Sequence, residues 1–137
     1  MNVSLDDLDA TAACAGAVEF EYISPAGNQT GIFFAVIGSH SEPVTAATAR
    51  LQNERRRKAA AREVQQKVGI GQPKVEFDKF EDDVAYGQQM AAARIVGWRG
   101  INDAFTPENA LRLCKSNAHI AAFITQCSEE LGNFFKL

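Results

Sequence analysis

Val18, Phe20 and Tyr22 alternate with Glu19 and Glu21, the two-residue period of a strand with one face on a core and one in water. Turn chemistry follows at Pro25-Ala26-Gly27-Asn28, and Gly31 to Ile37 is rich in β-branched and aromatic residues, so residues 17–38 read as a hairpin. Two strands alone are marginal in water, which requires this hairpin to lie on helices or to pair with a neighbour. Beyond Ser41 the period lengthens. Residues 43–68 predict a long helix whose narrow apolar stripe is Val44, Ala47, Leu51, Ala61, Val64 and Val68, with Gly69-Ile70-Gly71-Gln72-Pro73 as its stop. A second helix is expected from Phe80 to Val96, burying Phe80, Val84, Ala91, Ala92, Ile95 and Val96. A third, Pro107 to Lys115, buries Ala110, Leu111 and Cys114. Asn117 caps a last helix with Ile120, Phe123, Ile124, Cys127, Leu131 and Phe134 on one face. The expected fold is mainly α within the α+β class: about four helices and an N-terminal β-hairpin in a single domain. A flexible arm, 1–15, precedes a domain over 16–137, whose C-terminal helical part spans 78–137.

Length and composition narrow this further. A chain of 137 residues fits one domain. Its hydrophobic fraction of 46% includes much alanine, which buries little area, so the core is thin and such a core leans on partners. No apolar run approaches the ~20 residues that cross a bilayer, and Met1 to Ala15 lacks the basic start of a secretion signal. The cytosol is therefore the expected location, with no membrane partner. Three cysteines, Cys14, Cys114 and Cys127, are too few and too scattered for a disulfide framework. The net charge of -3 is modest but segregated. Arg50 to Lys67 holds seven bases against Glu54 and Glu63, Met1 to Glu21 five acids and no base, and Glu76 to Asp83 five acids against Lys79. Complementary surfaces of this kind suit contacts between subunits.

Little of the chain suggests catalysis. Cys114, His119 and Cys127 match no zinc spacing, and free cysteines commonly serve as small buried hydrophobes. His119 is the one base near either thiol. Gly69-Ile70-Gly71 lacks the flanking strand and helix of a phosphate loop. Glu81-Asp82-Asp83 at a helix start favour the helix dipole. No catalytic residue, metal or cofactor is expected, and the chain reads as a non-enzyme. In the run Arg55-Arg56-Arg57-Lys58 consecutive residues point in different directions, although Arg50, Glu54 and Arg57 share a side. Solvation of a helix is one reading of this run and contact with an acidic protein surface another. Nucleic acid is disfavoured, because no aromatic residue interleaves with the bases.

The most telling stretch is Val96-Gly97-Trp98-Arg99-Gly100-Ile101, a short polar loop, and then Phe105-Thr106-Pro107-Glu108-Asn109-Ala110. It reads as a joint, with one helix arriving at Val96, turning at Gly97 and Gly100 around Trp98, and a new helix starting after Thr106 as N-cap and Pro107 at its first position. This stretch resembles the C-terminal half of the tail assembly chaperones of long-tailed, siphovirus-type bacteriophages. The resemblance extends from about Val18 to Leu137. Ile23-Ser24-Pro25-Ala26-Gly27 resembles the family's Pro-x-Gly turn, and Ile32 to Gly38 its following strand. Ser41 and the arginine-rich helix are similar to its Asp-Ser pair and long basic helix, with His40 in place of the aspartate. Leu131-Gly132-Asn133-Phe134-Phe135-Lys136 is similar to its usual ending.

What the resemblance implies is a chaperone that binds and solubilises the tape measure protein, helps recruit tail tube (major tail) subunits during tail morphogenesis, and self-associates into a ring or spiral. It would act in the host cell cytoplasm and be absent from the mature virion. The residues expected to make partner or oligomer contacts are Arg50, Arg55, Arg56, Arg57 and Lys58 on the basic helix, facing Glu81, Asp82 and Asp83 or the N-terminal arm of the next subunit. The client is expected to meet the C-terminal helical face from Ile120 to Phe134, with Phe134 and Phe135, or the free edge of the hairpin. The alternative is a small nucleic-acid-binding regulator using the helix 50–67.

Overall fold

Residues 18–23 and 29–36 do form the expected hairpin, as β1 (Val18–Ile23) and β2 (Gln29–Val36). The computed structural model describes residues 2–68 and 78–137, with side chains at 2–61 and 80–137. The turn closes through Gly27 N donating to Ser24 O at 2.8 Å and Ser24 N to Asn28 O at 2.9 Å. Gly27 sits at φ +85°, a left-handed conformation that favours glycine. Before the hairpin, Asp9 caps a short helix α1 (Ala10–Ala15), accepting from Ala12 N at 3.0 Å. Cys14 of that helix is fully buried in the main core. The stretch exposed throughout is therefore 2–9, and the domain begins earlier than the expected boundary at residue 16.

Four longer helices follow: α2 (Glu42–Val68), α3 (Asp78–Ala93), α4 (Pro107–Ser116) and α5 (Ala118–Glu129). The stop expected at Gly69 to Pro73 lies outside the described residues. Both caps read from sequence are made. Thr106 Oγ1 accepts from Asn109 N at 3.0 Å with Pro107 in the first turn, and Asn117 Oδ1 accepts from Ile120 N at 3.1 Å. The molecule is a single α+β domain with one departure from expectation.

That departure is a third strand. Helix α3 ends at Ala93, and β3 (Ile95–Arg99) pairs antiparallel with β2, giving the order β1-β2-β3. Trp98 therefore lies on a strand opposite Phe34, not in a turn between two helices. The sequence reason is plain afterwards: Ile95-Val96-Gly97-Trp98 carries β-formers directly after an alanine-rich helix end. The third strand also supplies the pairing that a lone hairpin lacks. Val96, expected to be buried, is the extra residue of a bulge, because Ile95 pairs with Val36 and Gly97 with Ala35. Its side chain is consequently turned outward. Gly100 then leaves the sheet at φ +86°, where an added Cβ would stand 2.2 Å from Gly31 O. Gly97 has ordinary room, with Ala35 Cβ at 3.7 Å from such a Cβ.

Two clusters make the core. In the larger one, Tyr22, Phe34 and Val36 of the sheet pack with Ala91, Ala110, Cys114, Ile120 and Ile124 of α3, α4 and α5, and with Phe134. Trp98 joins at its edge, 6.4 Å from Phe34 and 5.2 Å from Phe105 between ring centres, with Nε1 donating to Asp103 O at 2.9 Å. The smaller cluster, Ile37, Val44, Leu51 and Met90, joins α2 to α3.

Candidate functional site

On α3 the apolar positions Phe80, Val84 and Ala91 lie on one helical line with Gly87. Ala91 is buried under α4 and α5, but the line runs on past them, leaving Phe80 76% and Val84 42% exposed. Their expected burial is thus corrected: the stripe was read rightly, but nothing described covers its N-terminal half. Beside it, α5 turns Ala118, Ala121, Ala122 and Thr125 toward Val84 and Gly87. The result is an open groove of about 530 Å3 with Gln88, Gln126, Glu129 and Glu130 at its rim. The face of α5 that carries Ile120 and Ile124 points the other way, into the core.

The basic helix is only partly free to meet a partner. Arg55 continues the line of Val44, Thr48 and Leu51 toward α3. There it forms an ion pair with Asp83 of the same chain and lies 5.0 Å over the Tyr86 ring. The expected contact of Arg55 with Asp83 of a neighbouring subunit is therefore made within the chain, where α3 packs against α2. Arg50, Arg56, Arg57 and Lys58 remain exposed, as does Glu81, while Asp82 is half-buried. Glu76 lies outside the described residues.

Phe134 and Phe135 do not form one exposed contact. Phe134 is buried, edge-on to Phe20 at 6.4 Å between ring centres, and Phe135 is half-buried. A 3-10 turn at Leu131–Asn133 folds the chain end back onto the sheet, with Phe134 N donating to Leu131 O at 3.0 Å and Asn133 Nδ2 to Cys127 O at 3.0 Å. Phe134 is core, and that corrects its assignment to a client.

Two of the thiols, Cys114 and Cys127, are held in the protonated form. Burial pushes Cys114 up to about 11, and burial, with Glu130 adding to it, does the same to Cys127. His119 Nδ1 shares a 2.7 Å hydrogen bond with the Tyr22 hydroxyl. Among the described residues no group of three His, Cys, Asp or Glu side chains could hold a metal ion, and no helix is long and apolar enough to cross a membrane.

Arg94 is the residue that sequence reasoning missed. It is buried, its Nε donates to Ser128 Oγ at 3.1 Å, and Ser128 Oγ in turn donates to Ile37 O at 2.8 Å. Ile37 N donates to Arg94 O at 3.0 Å, so one polar knot ties the ends of β2, α3 and α5. Burial lowers the pKa of Arg94, against the nearby Glu129 carboxylate at 3.8 Å. The signal was present in the sequence as a lone charge between Ala91-Ala92-Ala93 and Ile95-Val96. Ser41, at the start of α2, is also buried, and its Oγ has no hydrogen-bond partner among the described residues; backbone bonds hold that helix start, Ser41 N to Gly38 O at 3.0 Å and Thr45 N to Ser41 O at 3.0 Å.

On the outer face of the sheet, Arg99 binds Glu19 with both Nε and Nη2, the shortest contact being 2.7 Å, and lies 3.8 Å over Phe33. That pair closes the outer face with charge. Among the described residues, apolar surface open to a partner includes the α3–α5 groove, a second groove of about 550 Å3 where α2, α3, β3 and the start of α4 meet, and the exposed N-terminal segment. No protein-family model, curated protein or solved structure matches the chain.

Proposed function

We propose that this protein is a non-enzymatic tail assembly chaperone. It binds and solubilises the tape measure protein of a long-tailed phage, helps bring tail tube subunits to it, and self-associates while doing so. The proposal takes its identity from the sequence resemblance. The observation that supports it is the α3–α5 groove: a floor of Ala118, Ala121 and Ala122 beside Val84, continued by the exposed Phe80. Small side chains let a helix backbone approach closely, and an apolar groove between helices accepts the apolar seam of another helix. A long coiled-coil-prone client has many such seams, and covering them reversibly keeps it from aggregating. The client site in this reading is the α3–α5 groove, and the buried face from Ile120 to Phe134 is left to the fold.

Co-expression tests it. The tape measure protein of the same phage should move from the insoluble to the soluble fraction and co-purify with the chain free of nucleic acid. Ala122→Arg, at an exposed position in the groove, should abolish that transfer while leaving thermal stability within about 0.5 kcal/mol of the parent. A client that stays insoluble, together with a purified chain that shifts duplex DNA at physiological salt, would replace this reading with a regulator using Arg50, Arg56, Arg57 and Lys58.

A further inference from the structure

Residues 3–9 form a built element with nothing described over it. Ser4 N donates to Asp7 Oδ2 at 3.0 Å and Asp7 N to Ser4 Oγ at 3.3 Å, a reciprocal pair that closes a 3-10 turn at Asp6–Leu8. The Ser4 bonds also hold the Asp7 carboxyl below its usual range. Residues three apart eclipse in a 3-10 turn, so Leu5 and Leu8 stand on one side. Leu5 is 87% exposed, Val3 51% and Leu8 47%. The base of the segment is fixed: Asp9 caps α1, Cys14 is buried, and Gly38 N donates to Cys14 O at 2.9 Å. The chain thus holds out a pair of leucines on an acidic turn, with Asp6, Asp7 and Asp9 and no base.

The second groove has the complementary character. Leu51, Ala92, Val96, Phe105 and Leu111 line it, and Arg50 stands at its mouth with Glu54. The outer edge of β3 borders it, because β3 is the end strand of the sheet. From Arg50 to Lys58 α2 carries five bases against Glu54, and of these Arg55 is held by Asp83 of its own chain. The remaining four bases are exposed, and Arg50 is the one that lines the groove. Its volume is in the range of pockets that enclose small apolar groups, enough for two leucine side chains.

We propose that the acidic turn at residues 3–9 of one copy docks in this groove of a second copy. Leu5 and Leu8 fill the apolar floor, and Asp6, Asp7 and Asp9 face Arg50 and, further along the same side of α2, Arg57. The proposal rests on the self-association part of the reading above and is independent of the client. Each copy offers one turn and one groove at different places on its surface, so the contact is heterologous. Repeated head to tail it closes a ring or extends a filament.

Sedimentation velocity of the full chain over a concentration series, at low and high salt, tests the proposal. A fluorescent peptide of residues 2–9 tests it directly. The wild type should associate, and high salt should weaken this as screening requires. Leu5→Asp with Leu8→Asp should make the chain monomeric without moving its thermal midpoint, and each leucine should account for roughly tenfold to hundredfold in affinity. The peptide should bind this double variant. Binding should be lost when Val96→Asp is added and weakened when Arg50→Glu is added instead, the near-ultraviolet spectrum of Trp98 reporting that each protein is folded. Four results would each overturn the proposal: a monomeric wild type with no peptide binding, association undiminished in the double variant, peptide binding unchanged by Arg50→Glu in a folded protein, or a monomeric wild type whose own turn is protected from exchange. A monomeric wild type would also remove self-association from the reading above, whereas none of these results alters the client-solubility assay, and an associating double variant would overturn the docking proposal alone.

Discussion

Truncating Phe134 should destabilise the fold, whatever it does to a partner. The ring is 8% exposed, meets Phe20 edge-on, and stands close to Gly38, where even an added Cβ would come within 3.1 Å of it. Phe→Ala in a core costs about 3–5 kcal/mol through lost transfer energy and the residual cavity. The lower end, about 3 kcal/mol, applies here, because the ring lies at the margin of the core and keeps part of its surface in solvent. At about 2.1 cal/mol/K per residue, the unfolding entropy of 137 residues is about 0.29 kcal/mol/K. The thermal midpoint should therefore fall by about 10 °C. Phe135, half-buried next to it, should cost about 1 kcal/mol, or about 3–4 °C. Calorimetry of Phe134→Ala and Phe135→Ala measures both, and a double-mutant cycle with Phe20→Ala should return a coupling of about 1 kcal/mol for the edge-on pair. A Phe134→Ala midpoint within 3 °C of the wild type, or a larger loss for Phe135→Ala, would refute the placement of Phe134 in the core.

Gly100→Ala should cost about 2 kcal/mol or more, since the residue holds a positive φ and its new Cβ would collide with Gly31 O. Gly97→Ala should stay within about 1 kcal/mol, and denaturant titration of the two variants should show that order; equal losses would count against it. Cys114 and Cys127, both pushed up to about 11 by burial, should hold roughly one thiolate in a thousand at pH 8. Alkylation mapped by mass spectrometry should therefore be slow at both residues in the folded protein and fast once denaturant is added; rapid labelling of either in the folded state would contradict the burial.

Much of this protein was legible along the chain. The alternation at Val18 to Tyr22 and the caps at Thr106 and Asn117 are local signals: each depends on backbone geometry within a few residues, and each appears in the structure at those positions. Ile95 to Arg99 was misassigned because a short apolar run after a helix carries either period, and a strand exists there only because β2 offers it an unpaired edge. Burial was likewise beyond the sequence. Phe80 and Ala91 share one stripe on α3, yet one is in water and the other in the core, because α4 and α5 cover only part of it. Charge followed the same rule: Arg55 and Arg56 are neighbours in the basic run, but only Arg55 faces α3 and finds Asp83. Phe134 and Phe135 are neighbours of the same type, yet the 3-10 turn at Leu131–Asn133 carries Phe134 into the core and leaves Phe135 half-buried. The sequence by itself determines which face of each segment is apolar or charged, since that follows from residue order and helical or strand period. Which of those faces are covered, and which stay open to a partner, depends on how far the neighbouring elements reach, and the tertiary structure alone decides that.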